Sequence, residues 1–292
     1  MSTEIKRGVD KKGDELKSQR FQMLEDIARE LAGEVVFPTY FDAIVHLRKL
    51  LQDPDVGIAK LASAILAEPL ISAKLLHLAN SVAFNPEGHR IVDLRAAIIR
   101  LGLNVVRTAA MTIVMEQLIR AKSMALFSNL TQSLWQHSLK TATGARLISR
   151  ALTRFNPEEV MLAGLVHDLG AFYMLYRATQ YPELLARPDS LRYLIMEWHE
   201  SIGVSLLNAL GLPEEVIDAT VEHDQIRPTP VVLRTRADVV YVANMLAGGV
   251  SEWLNRELSP EHVAELQVLE EKYGHFRAEI EAASTDLAAV LA

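Results

Sequence analysis

His167 and Asp168 stand side by side inside the apolar run Ala163-Gly164-Leu165-Val166-His167-Asp168-Leu169-Gly170. An imidazole and a carboxylate in such surroundings cost desolvation energy unless each finds a hydrogen-bond partner or a metal. His137, His199 and His223 fall on other predicted helices, so four of the nine histidines join one aspartate as candidates for a shared site. A lone histidine on an apolar face is more often a hydrogen-bonded core residue than a ligand, and that reading stays open for each. As a set they suit divalent zinc, iron, nickel or manganese, which accept imidazole and carboxylate donors. Such an ion could lower the pKa of a bound water toward neutrality for attack on a phosphate. No His-x-x-x-His or similar short motif fixes the geometry. Whether these residues meet depends on the elements that carry them.

Composition narrows the chemistry. The chain has 292 residues, half of them hydrophobic, enough for a sizeable core in one large domain or two smaller ones. It contains no cysteine, which excludes disulfides and thiolate-bound zinc or iron-sulfur centres and suits a cytoplasmic location. A formal charge of −7 and a pI near 5.8 argue against broad phosphate-backbone binding, so nucleic acid is not an expected partner. The polar start carries no apolar core like that of a secretory signal, and no uninterrupted apolar stretch looks long enough to span a bilayer.

The hydrophobic spacing is helical throughout, and no convincing period-two pattern appears. Residues 1–20 read as a charged tail. Phe21, Leu24, Ile27, Ala28 and Leu31 mark a first helix stopped by Gly33, and Phe41 to Leu51 a second, closed at Asp53-Pro54. Ile58–Leu66 and Pro69–Ser81 follow, with His77 and Asn80 on one face as a polar pair best read as packing. Asn85-Pro86-Glu87-Gly88 is a turn. Asp93 caps a helix broken at Gly102 and resumed from Val105 to Leu118, and Lys122–Leu130 is a weak hinge. A long helix from about Thr131 to Leu152 carries His137. Asn156, Pro157 and Glu159 form a capping-box start for the next, predicted to hold both His167 and Asp168, whose directions would then diverge by about 100°. Leu191–Leu210 bears His199 and stops at Gly211. A short helix from Pro213 delivers Val221-Glu222-His223-Asp224, and Ala237–Ala247 contains Asp238 and Asn244 on different faces. Ser259-Pro260-Glu261 opens an amphipathic C-terminal helix, which either packs on the body or forms a homodimer contact.

Several separated motifs resemble one family. Leu134-Trp135-Gln136-His137-Ser138, Gly164 through Gly170, His199 with Ile202-Gly203 and Leu206-Leu207, and Leu212-Pro213 before His223 are similar to the HDOD family, the HD-related output domain. In the N-terminal half, Glu68-Pro69-Leu70-Ile71-Ser72-Ala73-Lys74-Leu75-Leu76, Leu78-Ala79-Asn80-Ser81 and Ala96-Ala97-Ile98 before Leu101-Gly102 agree in order. The resemblance, which covers about Phe21 to Ala247, implies an all-α chain in which an N-terminal helical subdomain (21–125) packs on an HD-like helical subdomain (126–250); the C-terminal amphipathic helical segment at 251–292 lies beyond it. It also implies a bacterial regulatory module related to metal-dependent phosphohydrolases.

Carried over residue by residue, the HD metal pattern places first ligands at His137, His167 and Asp168, with Asp168 the catalytic candidate if the site is active. His199 and His223 match the additional histidines of larger metal sites. The pattern's last aspartate falls on Asn244, a neutral amide and a much poorer ligand. His223-Asp224 stands where the family usually pairs two histidines, and Glu68 where it has an aspartate. The expectation is therefore a signalling module with a degenerate site that binds a protein partner or a small phosphate-containing ligand. The alternative is a metal-dependent phosphohydrolase acting on a nucleotide, cyclic nucleotide or other phosphate ester, with Fe, Mn, Ni or Zn as the cofactor.

Overall fold

The computed structural model describes residues 14–32, 57–66, 69–120, 122–249 and 259–291, and every regular element among them is helical. The second predicted helix (Phe41 to Leu51), the Asp53-Pro54 stop and Glu68 lie outside the described residues. The N-terminal part comprises α1 (Asp14–Ala32), α2 (Ile58–Leu66), α3 (Pro69–Ala79) and α4 (Leu94–Ile119). After a 3-10 turn at Lys122–Phe127 come α5 (Ser128–Leu152), α6 (Pro157–Val166), α7 (Leu169–Ala178), α8 (Pro182–Leu185), α9 (Pro188–Ala209), α10 (Glu214–Asp218) and α11 (Arg236–Leu246). The C-terminal segment adds α12 (Pro260–Tyr273) and α13 (Arg277–Leu291), joined by a 3-10 turn.

Local chemistry sets most of these ends. Asp93 accepts from the Ala96 amide at the start of α4, and Ser259 from the His262 amide at the start of α12. Gly102 sits at φ 77° and kinks α4, a conformation open to glycine at little steric cost. Asn80 takes the predicted packing role by bonding both the carbonyl and the amide of Ile91.

Three readings need correction. The first helix begins at Asp14, within the predicted tail, and its core side chains are Met23 and Ile27, whereas Phe21 is 71 % exposed. Glu159 does not close a capping box on backbone; it bonds the Asn156 side-chain amide and Arg236, while Asn156 caps the Glu158 amide. Leu94–Glu116 is, by length and composition, apolar enough to cross a membrane, yet 61 % of its most apolar window is buried inside the fold and Gly102 bends it. It is a core helix packed against α2, α3, α5 and α6.

Around α5 the HD-like part is built by close helix contacts. α6 and α11 pack on α5, α7 crosses α9, and α13 lies along α5. A Cβ on Gly170 would meet the His199 carbonyl at 1.9 Å and the Gly203 amide at 2.6 Å. Only a residue without a side chain lets α7 touch the α9 backbone where His199 sits.

Candidate metal centre

His167 and Asp168 do not share a helix. His167 closes α6, and Asp168, at φ −98° and ψ 15°, opens α7. The chain turns between them just before Gly170 packs on the α9 backbone, and the break overrides the expected divergence. His167 Nε2 and Asp168 Oδ2 lie 3.2 Å apart and point into one space.

His137 from α5, His199 from α9 and His223 from the turn after α10 converge there. Each imidazole directs Nδ1 at a backbone carbonyl: His137 at Ala247 (3.3 Å), His167 at Gly164 (2.8 Å), His199 at Ile195 (2.9 Å) and His223 at Thr220 (2.7 Å). A carbonyl accepts only from an N–H, so in each neutral ring Nε2 keeps its lone pair. These Nε2 atoms nevertheless face one another in pairs, His137 with His167 and His199 with His223, each at 3.2 Å. Two lone pairs at that distance repel unless a proton or a cation lies between them.

Asp168 joins the pairs. Its Oδ2 lies 3.2 Å from His167 and 3.8 Å from His137, and its Oδ1 lies 3.3 Å from His223 and 3.5 Å from His199. Asp224 completes the second group, with Oδ2 at 3.3 Å from His199 and 3.7 Å from His223. The cluster thus has two halves sharing one carboxylate: His137, His167 and Asp168; and Asp168, His199, His223 and Asp224. Donors about 2.0–2.1 Å from one ion stand roughly 2.8–3.4 Å apart in octahedral or tetrahedral shells. The Oδ2 atoms of Asp168 and Asp224 receive no well-directed hydrogen bond. The donor set therefore fits a divalent metal.

Asp224 was absent from the ligand set inferred by resemblance. Asn244 lies beside the cluster and does another job: its Nδ2 donates to Asp224 Oδ1 at 2.8 Å and to the His223 carbonyl at 2.9 Å. Two acceptors fix the amide orientation, and a carboxylate at 244 could donate to neither. The one sequence signal for Asp224 was its place next to His223.

The charges of the metal-free cluster follow from burial and neighbours. Burial, aided by His167, pushes the His137 imidazole down to about 4. Burial also opposes a charge on His223, but the Asp224 and Asp168 carboxylates outweigh it and hold that imidazole up to about 10. His199 is raised against burial chiefly by the nearby Asp224 carboxylate. Both carboxyls are held well below the usual range despite burial, Asp168 chiefly by His167 and Asp224 chiefly by His223.

The turn that delivers His223 and Asp224 is strained. Glu222 adopts φ 56°, left-handed for a residue with a side chain, and its amide donates to Glu200 Oε1 at 2.8 Å. Glu200 follows His199 on α9, so that helix supplies one imidazole and steadies the turn carrying the other.

The HDOD domain model matches residues 37–226, most of the chain. The chain belongs to the HDOD domain family. The HDOD chain is similar in fold to a proposed metal-dependent phosphohydrolase of Shewanella amazonensis SB2B (20 % identity, TM-score 0.66, covering 91 % of this chain and 99 % of that one). An HDOD domain protein of unknown function from Geobacter sulfurreducens is 23 % identical with a TM-score of 0.56, over 93 % of this chain and 99 % of that one. A proposed signal transduction protein from Marinobacter aquaeolei VT8 is 17 % identical with a TM-score of 0.58, over 95 % of this chain and 65 % of that one. At these identities the likeness is one of fold alone. An uncharacterised Treponema pallidum (strain Nichols) protein is 22 % identical over 258 residues, 82 % of this chain and 47 % of that protein, so the chain spans about half the length of that curated relative.

Proposed function

We propose that this HDOD chain is a cytoplasmic regulatory module of bacterial signal transduction. It acts by binding a protein partner or a small phosphate-containing ligand, and its His/Asp centre holds divalent metal as part of the body that presents that surface. The observation that carries this reading is burial: His137, His167, Asp168, His199, His223 and Asp224 are between 1 % and 8 % exposed. Hydrolysis would need a phosphate ester to reach a water at the cluster, and the packed helices leave it little approach. Four imidazoles and two carboxylates without thiolate favour zinc, iron, manganese or nickel over softer ions.

One observation favours the second reading, a metal-dependent phosphohydrolase. Asp224 supplies a carboxylate that the Asn244 position lacks, so the donor set is not depleted. A bound ion would there supply an acidified water. His137, His167 and Asp168 would hold one ion, and His199, His223 and Asp224 a second ion, or the two imidazoles alone would position the substrate phosphate.

Elemental mass spectrometry on untagged protein tests the metal, and a phosphate-ester screen tests the chemistry. Bound metal that falls by about one ion per chain in His167→Ala, with no turnover of bis(p-nitrophenyl) phosphate or cyclic dinucleotides, is the expected result. Turnover by the metal-loaded protein that disappears in His167→Ala and Asp168→Ala would replace the regulatory reading with the hydrolase.

A further inference from the structure

Residues 259–291 lie beyond the span that the family model matches, yet they hold chain segments that flank the metal centre. On one side α12 holds the loop that follows His223 and Asp224. Glu265 accepts from the Thr229 amide at 3.1 Å and from the Thr229 hydroxyl at 3.2 Å. Tyr273 donates its hydroxyl to the Pro230 carbonyl at 2.7 Å, and Lys272 donates to the same carbonyl at 3.2 Å.

On the other side Arg277, at the start of α13, donates through Nη1 to the Leu246 carbonyl. The next carbonyl, that of Ala247, is the one His137 Nδ1 meets. The last carbonyls of a helix have no intrahelical donor and carry the negative end of its dipole, so a guanidinium there holds the final turn of α11 in place. Glu270 aims Arg277 from α12 at 2.7 Å. α13 also packs on the helix that bears His137: Ile280 lies against Gly144, where a Cβ would come within 3.0 Å of it. Residues 137 and 144 are seven apart and share a face of α5. One segment therefore touches both the carbonyl end that orients the His137 ring and the helix that carries it.

We propose that residues 259–291 regulate the centre, with Arg277 as the positioning residue that sets the His137 ring through Leu246 and Ala247. Movement of this segment then changes metal affinity in the half formed by His137, His167 and Asp168. That consequence rests on the metal reading above; the ring orientation does not.

The test uses the full-length chain with nitrogen-15-labelled histidine. In metal-free protein, long-range proton–nitrogen spectra resolve the tautomer of each ring. Arg277→Met, which keeps most of the stem and removes the donor, should move the His137 ring signals out of the Nδ1–H pattern and leave His199 and His223 in place. Arg277→Lys should restore them, and the milder Glu270→Gln should shift them in the same direction by less. In a zinc titration, Arg277→Met should weaken one of two ions by about 10- to 100-fold. Unchanged His137 signals in Arg277→Met would overturn the proposal. A wild-type chain that takes up no zinc, while His137 still answers to Arg277, would sink the metal reading and leave the positioning role standing.

Discussion

Asn244 Nδ2 and Asp224 Oδ1 are 2.8 Å apart, and this bond holds the other Asp224 oxygen toward His199. An amide on α11 thus orients a carboxylate that comes from another element. Asn244→Asp would remove the amide that donates to that oxygen and set two buried carboxylates face to face. In the presence of a chelator it should destabilise the chain by about 1–3 kcal/mol, the scale of a buried acceptor left unpaired. The urea midpoint measures this, and an unchanged midpoint would deny Asn244 the role.

Asp168 serves both halves of the cluster, whereas each histidine serves one. Asp168→Asn should therefore lower metal content in both halves, while His137→Ala and His199→Ala should each lose one ion and keep the other. Metal counted per chain after dialysis separates these outcomes. Equal loss in all three variants would mean that the halves do not bind independently.

Two histidines give the metal-free chain opposite pH dependences. His137 is depressed from 6.5 to about 4, so between those values the unfolded chain binds a proton that the native chain refuses. Its contribution is complete above about pH 6.5 and is lost as pH falls toward 4. His223 is raised from 6.5 to about 10, so its contribution is complete below 6.5 and is lost as pH rises toward 10. Denaturant midpoints without metal should peak near pH 6.5 and fall on both sides. Metal must displace the proton on His223, so calorimetry at pH 8 in buffers of different ionisation enthalpy should show about one proton released for the ion at that half.

Gly170 and Gly203 face each other across the α7–α9 crossing but are not equivalent. A Cβ on Gly170 would strike the α9 backbone, whereas one on Gly203 would meet its nearest atom at an ordinary 3.4 Å. Gly170→Ala should cost about 3 kcal/mol or more, since backbone cannot step aside as a side chain can. Gly203→Ala should be close to neutral, and thermal unfolding of the pair measures the difference.

Many helix ends were legible from a local signal, although α9 starts at Pro188, three residues before the expected Leu191. Pro69, Asp93, Gly102, Asn156-Pro157, Gly211 and Ser259-Pro260 all stand at observed starts, breaks or stops. The join between α6 and α7 has no such signal, because Gly170 is required by the backbone of His199, some thirty residues later. Convergence of the four histidines could be suspected from their types, but the orientation of Asp224 depends on Asn244, twenty residues away. Phe21 fitted the helical period of α1 as well as Met23 did; the position of the neighbouring helices decided which was buried.

The apolar run from Leu94 to Glu116 also has a history in synthesis. When it leaves the ribosome, α2 and α3 already exist, but α5 and α6, which cover its remaining faces, do not. At about 5–20 residues per second it stays partly bare for seconds, apolar surface of the kind that a chaperone covers and that slowed translation would expose for longer.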